Sequence, residues 1–564
     1  MHDSLEELDR LKVVFTRAEA KRKGTLLRRL GRLEIPGPRE LVTYHETLCF
    51  LRAFPDNRDV LEGAESELHA FHHRVDRCRL IHGGELPASL IDTGIAGTPY
   101  HYPYGLPMIC WFVRRFGDAV DIDWDAYEER EDDPLSAFLT LVVGWVETIG
   151  TDDETLSVRE WFEAARGRRR IGFLRWLVER MIATGAPPAA LETLYDAMEL
   201  SVRWDLGTGS GSRTRARMPY ERYAYQTGPL RGRTKDFRGE ILGPFSGLKP
   251  VGRRRGRAWI DLARCALSLR AREFYPIVLA SDREVYEADF DRGVRIVLFG
   301  VTSDRRLPLE TEYGVLFVRN GVPVGYGVGA LLLDRIEIAV NVFPTYRGGE
   351  SSFLFECFAR LFHHAFGTRI YFVDSYQQGH GNDEGLAAGS FWFYHKLGFR
   401  PIDPETRALA AEETTRLQRE PGTRTPRRLL RRLVCSDAIF CLDSKEPADR
   451  TELSLKRIGL RVSRHIEERF LGDRDQAERV CSKEVARILQ VRDLARWDQN
   501  ERAAFRRLSP LVTILPGLRG WRSSEKRSLA RILRWKGSQR EARHAREAIG
   551  HVRLRQALEA LSRP

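Results

Sequence analysis

Apolar residues along the chain keep two periods, and the change from one to the other divides the sequence. Over residues 1–206 the repeat is helical: Leu41, Tyr44, Leu48 and Leu51 recur at that spacing, as do Leu174, Leu177, Val178, Met181 and Ile182. This predicts a mainly helical N-terminal domain. Within it, the Gly- and Pro-rich stretch Gly94–Pro107 reads as a loop that enters a helix near Met108. Residues 207–256 open with G-T-G-S-G-S-R-T-R-A-R and end in G-R-R-R-G-R, the composition of a basic linker.

After a helix expected over about 258–272, the period shortens. Val294–Val301, Tyr313–Val318, Val322–Leu333 and Ile336–Val342 read as strands. Asn320-Gly321 between two apolar runs is a hairpin signal, and Asp334-Arg335 fits the next tight turn, so an antiparallel meander is expected. A helix over Glu350–Phe366 follows, with Leu354, Phe358, Leu361 and Ala365 on one face and further aromatics on the other, which predicts burial on more than one side. Then come a strand at Ile370–Asp374, a Gly-rich loop at Gln377–Gly389, a helix at Ser390–Leu397 and a strand at Phe399–Ile402. A charged helical insertion over about 406–433 precedes a last strand at Ala438–Leu442, and residues 449–564 read as a basic helical C-terminal region. The fold class expected is α+β: a mixed sheet with flanking helices over 257–443, between two mainly helical regions. No internal repeat is evident.

Composition narrows the classes. Of 564 residues, 42% are hydrophobic and 30% charged, ordinary values for a globular chain. The longest apolar candidate, Leu139–Val146, falls well short of the ~18 residues of a membrane span. The start M-H-D-S-L-E-E-L-D-R is acidic where a secretory leader is basic and then apolar, so a cytoplasmic protein with no membrane partner is expected. Eight scattered cysteines without a C-x-x-C pair suit buried thiols. The net charge of +12 allows a polyanion partner. Arg far exceeds Lys, however, a bias that GC-rich codon use also produces, and that explanation carries the larger weight. RNA is thus a secondary expectation, raised by Arg-rich stretches such as Arg213–Arg217 near Tyr220, Tyr223 and Tyr225 and others in the tail, where Glu and Asp interspersed through most of the sequence suggest instead a solvated, salt-bridged helical surface.

Chemistry concentrates where the fourth long strand meets the helix. The connection reads F-P-T-Y-R-G-G-E-S-S, from Phe343 to Ser352. Unpaired amides and the positive end of a helix dipole favour an anion, glycines let the backbone come close, and an arginine adds charge. A second motif, F-W-F-Y-H-K-L-G-F-R-P, runs from Phe391 to Pro401, with Gly398 placed as a helix cap before a strand.

Together these motifs resemble the GNAT superfamily of N-acyltransferases, over about a third of the chain. Val342, Phe343 and Pro344 match its V-x-P strand end, Arg347, Gly348 and Gly349 the start of its pyrophosphate loop, and Tyr394, Gly398 and Phe399 its later signature. The resemblance implies an enzyme that moves an acyl group from acyl-coenzyme A (acyl-CoA) to an amine of a small molecule or protein. Val342, Arg347, Gly348, Gly349, Ser351 and Ser352 would hold the donor, and Tyr394 would return a proton to the leaving thiolate. Tyr394 reads equally well as a buried aromatic that packs its helix on the sheet. Two positions depart from the family pattern: Glu350 stands where its first loop glycine belongs, and Ala387 where its asparagine precedes the tyrosine by seven residues. For the base that takes the amine proton the candidates are Glu337, Asp374 and His380.

No metal is expected. Glu67, His69, His72 and His73 cluster on one stretch, but no fourth ligand is evident and H-E-x-x-H is absent. Two further readings stand beside the acyltransferase: a non-catalytic GNAT-like scaffold, and a transferase that draws on aminoacyl-tRNA, which would dispense with the pyrophosphate loop.

Overall fold

The structure is a computed structural model that describes residues 2–128, 133–152, 156–209, 211–443 and 453–563. It divides into two compact units. The first comprises Met1–Pro229, Trp259–Val278 and Arg319–Pro323, and the second Leu230–Ala258, Leu279–Val318 and Val324–Pro564.

In the first unit, helices Arg17–Gly31, Pro38–Ala53 and Arg58–Ile81 meet around Leu26, Leu30, Leu41, Tyr44, Leu48 and Phe71. Their starts are set by capping: Thr16 Oγ accepts from the Glu19 amide, and Asn57 Oδ1 from that of Val60. A second core gathers Phe112, Phe138, Leu174, Leu177 and Trp204. It includes a small antiparallel sheet, β1 (Pro99–Tyr102), β2 (Val120–Ile122) and β3 (Val202–Asp205), in the order β1-β3-β2. These strands of three or four residues are too short for alternation to register against the helical background. The segment read as a linker differs too. Residues 207–229 belong to this unit, where Ser212, Thr214 and Gln226 are buried and Arg52 Nη1 donates to the Thr214 carbonyl at 2.8 Å. Arg215 Nη2 donates to the His69 carbonyl at 2.7 Å, which ties down the edge of the histidine cluster.

Among the described residues, the second unit holds a nine-stranded mixed sheet. Its strands are β4 (Lys249–Pro250), β5 (Ala280–Asp289), β6 (Val294–Val301), β7 (Thr311–Arg319), β8 (Val322–Leu332), β9 (Arg335–Val342), β10 (Ile370–Val373), β11 (Arg400–Pro401) and β12 (Ala438–Cys441). The spatial order is β11-β12-β10-β9-β8-β7-β6-β5-β4. β6 to β9 are the four long strands expected from periodicity. β5 was not legible, because A-S-D-R-E-V-Y-E-A-D alternates poorly and spends a buried position on Glu284. β8 and β9 pair antiparallel, whereas β9 and β10 run parallel, and β10 and β11 each pair antiparallel with β12.

Across the sheet lies the helix Ser351–Phe366, ended by Gly367 in the left-handed region. Phe353, Leu354, Phe355, Cys357, Phe358, Leu361 and Phe362 are all buried, so the helix is covered on more than one side. The charged insertion forms helices Pro404–Arg419 and Arg427–Leu433. The expected start of the C-terminal region at 449 lies outside the described residues. From Leu455 onward six helices build a core of their own, with Val485, Phe505, Leu529 and Leu533 packed near Leu332 and Leu333 at the end of β8. Among the described residues no helix is long and apolar enough to cross a membrane.

Candidate active site

The parallel pairing of β9 with β10 is short. Arg335, Ile336 and Glu337 face Ile370, Tyr371 and Phe372. β10 then ends at Val373, because Asp374 turns the chain into the helix Ser375–Gln378 and caps it, its Oδ1 accepting from the Tyr376 amide at 2.7 Å. Among the described residues, β9 runs on to Val342 with β8 alone paired beside it. The two strands therefore part, and a cleft of about 640 Å³ opens along the free edge of β9 at Val340, Asn341 and Val342. Helices Asp383–Ala388 and Ser390–Lys396 supply the opposite wall.

The loop after β9 closes one end. Its backbone is pinned by the Phe343 amide donating to the Val324 carbonyl at 3.0 Å and by a 3-10 turn over Pro344–Tyr346. Gly348 sits at φ +86 with open space where a side chain would project, a conformation that favours glycine. The Gly349 amide is already engaged with the Tyr346 carbonyl at 3.0 Å. Ser351 opens the long helix and lines the cleft, and first-turn amides have no intrahelical acceptor. Ser352 turns inward instead, its Oγ 3.3 Å from Glu356 Oε1. Arg347 lines the cleft with its Nε donating to the Val342 carbonyl at 3.1 Å and its guanidinium paired with Glu384.

Glu350 holds the position where a carboxylate beside an anion would be unfavourable. Its side chain is 1% exposed and faces away from the cleft lining, accepting from the Arg231 amide at 2.9 Å and pairing with the Arg292 guanidinium. Those two partners lie 119 and 58 residues away in sequence, beyond the reach of a motif reading.

Tyr394 lines the cleft from the helix Ser390–Lys396. Its ring is buried, edge-on to Phe355 at 5.7 Å and to Phe399 at 5.6 Å. Burial raises its phenol well above the usual range, and the side chain has no hydrogen-bond partner among the described residues. Ala387 and Ser390 line the same wall, as do Gln377 and Asn382 from the Gly-rich loop. His380 is exposed and absent from the lining.

A second cavity, of about 340 Å³, lies where β9 and β10 are still paired. Glu337 and Asp374 line it, with Glu310, Asp437, Arg335 and Lys456. Strand alternation places Glu337 opposite the buried Ile336 and Ile338. Beside these, Glu312 on β7 is pushed up to about 7 by burial and by the charges of Glu310, Glu541 and Glu337. Glu312 is not among the candidates legible in the sequence. Its one signal is a carboxylate directly ahead of the apolar run Tyr313–Val318 in β7. The sequence-derived candidates thus divide: Val342, Arg347, Ser351 and Tyr394 border the cleft, with Gly348 in the loop at its end, while Glu337 and Asp374 border the second cavity.

No protein-family model matches this chain, and no curated protein or solved structure matches it.

Proposed function

We propose that the second unit is a GNAT-type N-acyltransferase, with acyl-CoA as donor and a cationic amine as acceptor. The observation that carries this reading is the parting of parallel strands β9 and β10 beside a glycine-bearing turn, a helix N-terminus and Tyr394. The donor's pyrophosphate suits the amides about Gly348 and Ser351 and the guanidinium of Arg347, which would exchange Glu384 for phosphate. The amide-bearing arm of the donor suits the free edge of β9, where backbone groups lack a neighbouring strand. Captivity of Glu350 by Arg231 and Arg292 removes the charge conflict that its position raises.

In the reaction, the neutral amine nitrogen attacks the thioester carbon. The C–S bond breaks as the C–N bond forms, the thiolate takes a proton from Tyr394, and the amine's proton passes to a carboxylate of the second cavity. Glu337 is the base of choice in that cavity, with Asp374 a further candidate; Glu312, outside the lining but close enough to feel the Glu337 charge, is pushed up to about 7, and a base works best with its pKa near the working pH. The acidic lining of that cavity favours an acceptor with positive charge.

The test is calorimetric titration of the full chain with acetyl-CoA, longer acyl-CoA species and free CoA. Saturable binding is expected, weakened about tenfold or more in Gly348→Val, which forces a branched residue into the left-handed region. A well-folded sample that binds none of these species would overturn the reading and leave the fold as a scaffold.

A further inference from the structure

Positive charge is distributed unevenly along the chain. Residues 453–564 hold 27 Lys and Arg against 13 Asp and Glu, while the remainder is nearly balanced at 64 against 66. Codon bias alone would spread arginine without withdrawing the acids that match it elsewhere. Asymmetry of this kind points to an anionic partner for the C-terminal helices.

Part of the excess stands uncompensated on one helix. On the helix Arg474–Ile488, the residues Arg479, Lys483 and Arg487 follow at four-residue intervals, about 6 Å apart along the axis. Beyond the helix end the chain turns at Gln490, which has φ +58, and Arg492 and Arg496 follow in sequence. All five side chains are exposed and have no partner among the described residues. The helix does carry carboxylates, but they serve other arginines: Glu478 pairs with Arg506 at 2.9 Å, and Glu484 with Arg469 at 2.8 Å and Arg519 at 3.1 Å. The acids left near the track are Asp475 in the first helical turn and Asp493 beside Arg492. Like charges four residues apart destabilise a helix, so the stripe works against the fold that bears it.

We infer that this basic row binds the phosphate backbone of RNA. A lipid surface is disfavoured because a membrane-seeking helix must offer an apolar face, and here Ala477, Cys481 and Val485 are spent in the protein core. A single strand is favoured over duplex DNA because its phosphates can adjust to a row of only three helical cations, whereas those of a duplex are fixed on a stiff rod. Guanidinium groups, three of the first four cations and the last, match phosphate oxygens in pairs. The inference does not depend on the acyltransferase reading, since none of the five residues borders the cleft or the second cavity.

The experiment is fluorescence anisotropy of a labelled, mixed-sequence 20-nucleotide RNA strand with the full chain, in 50 and 200 mM NaCl. Binding that falls steeply with salt is expected. Combined Arg479→Ala, Lys483→Ala and Arg487→Ala should weaken it about tenfold or more and reduce the slope of log affinity against log salt by about 2, three contacts at ~0.7 each. Arg479→Lys with Arg487→Lys, which keeps the charge, should retain most of the binding. No RNA binding at 50 mM NaCl, or a triple variant that binds like the parent, would overturn the inference. A 20-base-pair DNA duplex or a phosphatidylserine vesicle bound as tightly as the RNA, and lost in the same variant, would overturn the choice of RNA.

Discussion

Tyr394 is walled by Phe355, Phe393 and Phe399, so its phenol loses the water that would stabilise a phenolate and keeps its proton through the neutral range. The protonated phenol can offer a hydrogen bond to a leaving sulfur, while burial makes it a weaker acid than a free tyrosine. Tyr394→Phe keeps the ring and removes the proton: kcat should fall by about 10²- to 10⁴-fold with little change in KM for the donor. Steady-state kinetics with the acceptor once found, together with a thermal melt, checks this. An unchanged kcat would return Tyr394 to the packing role that its motif equally allowed. Tyr394, Arg347 and Ser351 were legible because the chemistry around them is local in sequence. Glu350 was not, since its neutralising partners come from distant segments, and Glu312 was not, since only the folded sheet brings Glu310 and Glu337 beside it.

At the scale of elements, period and turn chemistry located the meander and the helix that crosses it, because each strand there alternates or runs apolar over eight residues or more. Two-residue strands such as β4 and β11 leave no such trace, and β5 hides behind its polar content. Close packing of the helix on the sheet rests on one glycine of β8. A side chain at Gly329 would come within 2.7 Å of Ile336 and 2.8 Å of Phe362. Gly329→Ala should therefore destabilise the second unit by about 1–3 kcal/mol, read as a lower denaturant midpoint. A midpoint equal to that of the parent would mean that the two side chains move aside freely.

For the molecule as a whole, the sequence offered a helical start, a mixed-sheet middle and a basic helical end, but not how the last joins the middle. A buried charge network makes that join. Glu284 of β5 accepts from the Ala542 amide and from Tyr313, each at 3.0 Å, and pairs with Arg306 at 2.8 Å. Arg306 in turn reaches Glu541, which also holds Lys536. Burial is the largest influence on Glu284 and pushes it up to about 7. A carboxyl that holds its proton more tightly when folded favours the fold at low pH. That stability is full below the unfolded value near 4.5 and is lost as pH rises through about 7, amounting to as much as about 3 kcal/mol. Denaturant titrations at pH 4.5 to 8 should show a slope in this window that is smaller in Glu284→Gln. An identical slope in the variant would assign the pH dependence to other groups.

The free edge of β9 has a consequence for solubility. A strand edge with unanswered amides and carbonyls is a template on which another chain can add a strand, the first step of ordered aggregation. Here that edge lies inside a cleft whose far wall is the pair of short helices Asp383–Ala388 and Ser390–Lys396, leaving room for a slender ligand beside it but screening it from a foreign sheet. The Gly-rich segment that leads into those helices thus doubles as a guard. Shortening it would expose β9 and turn a screened edge into a nucleus for fibres.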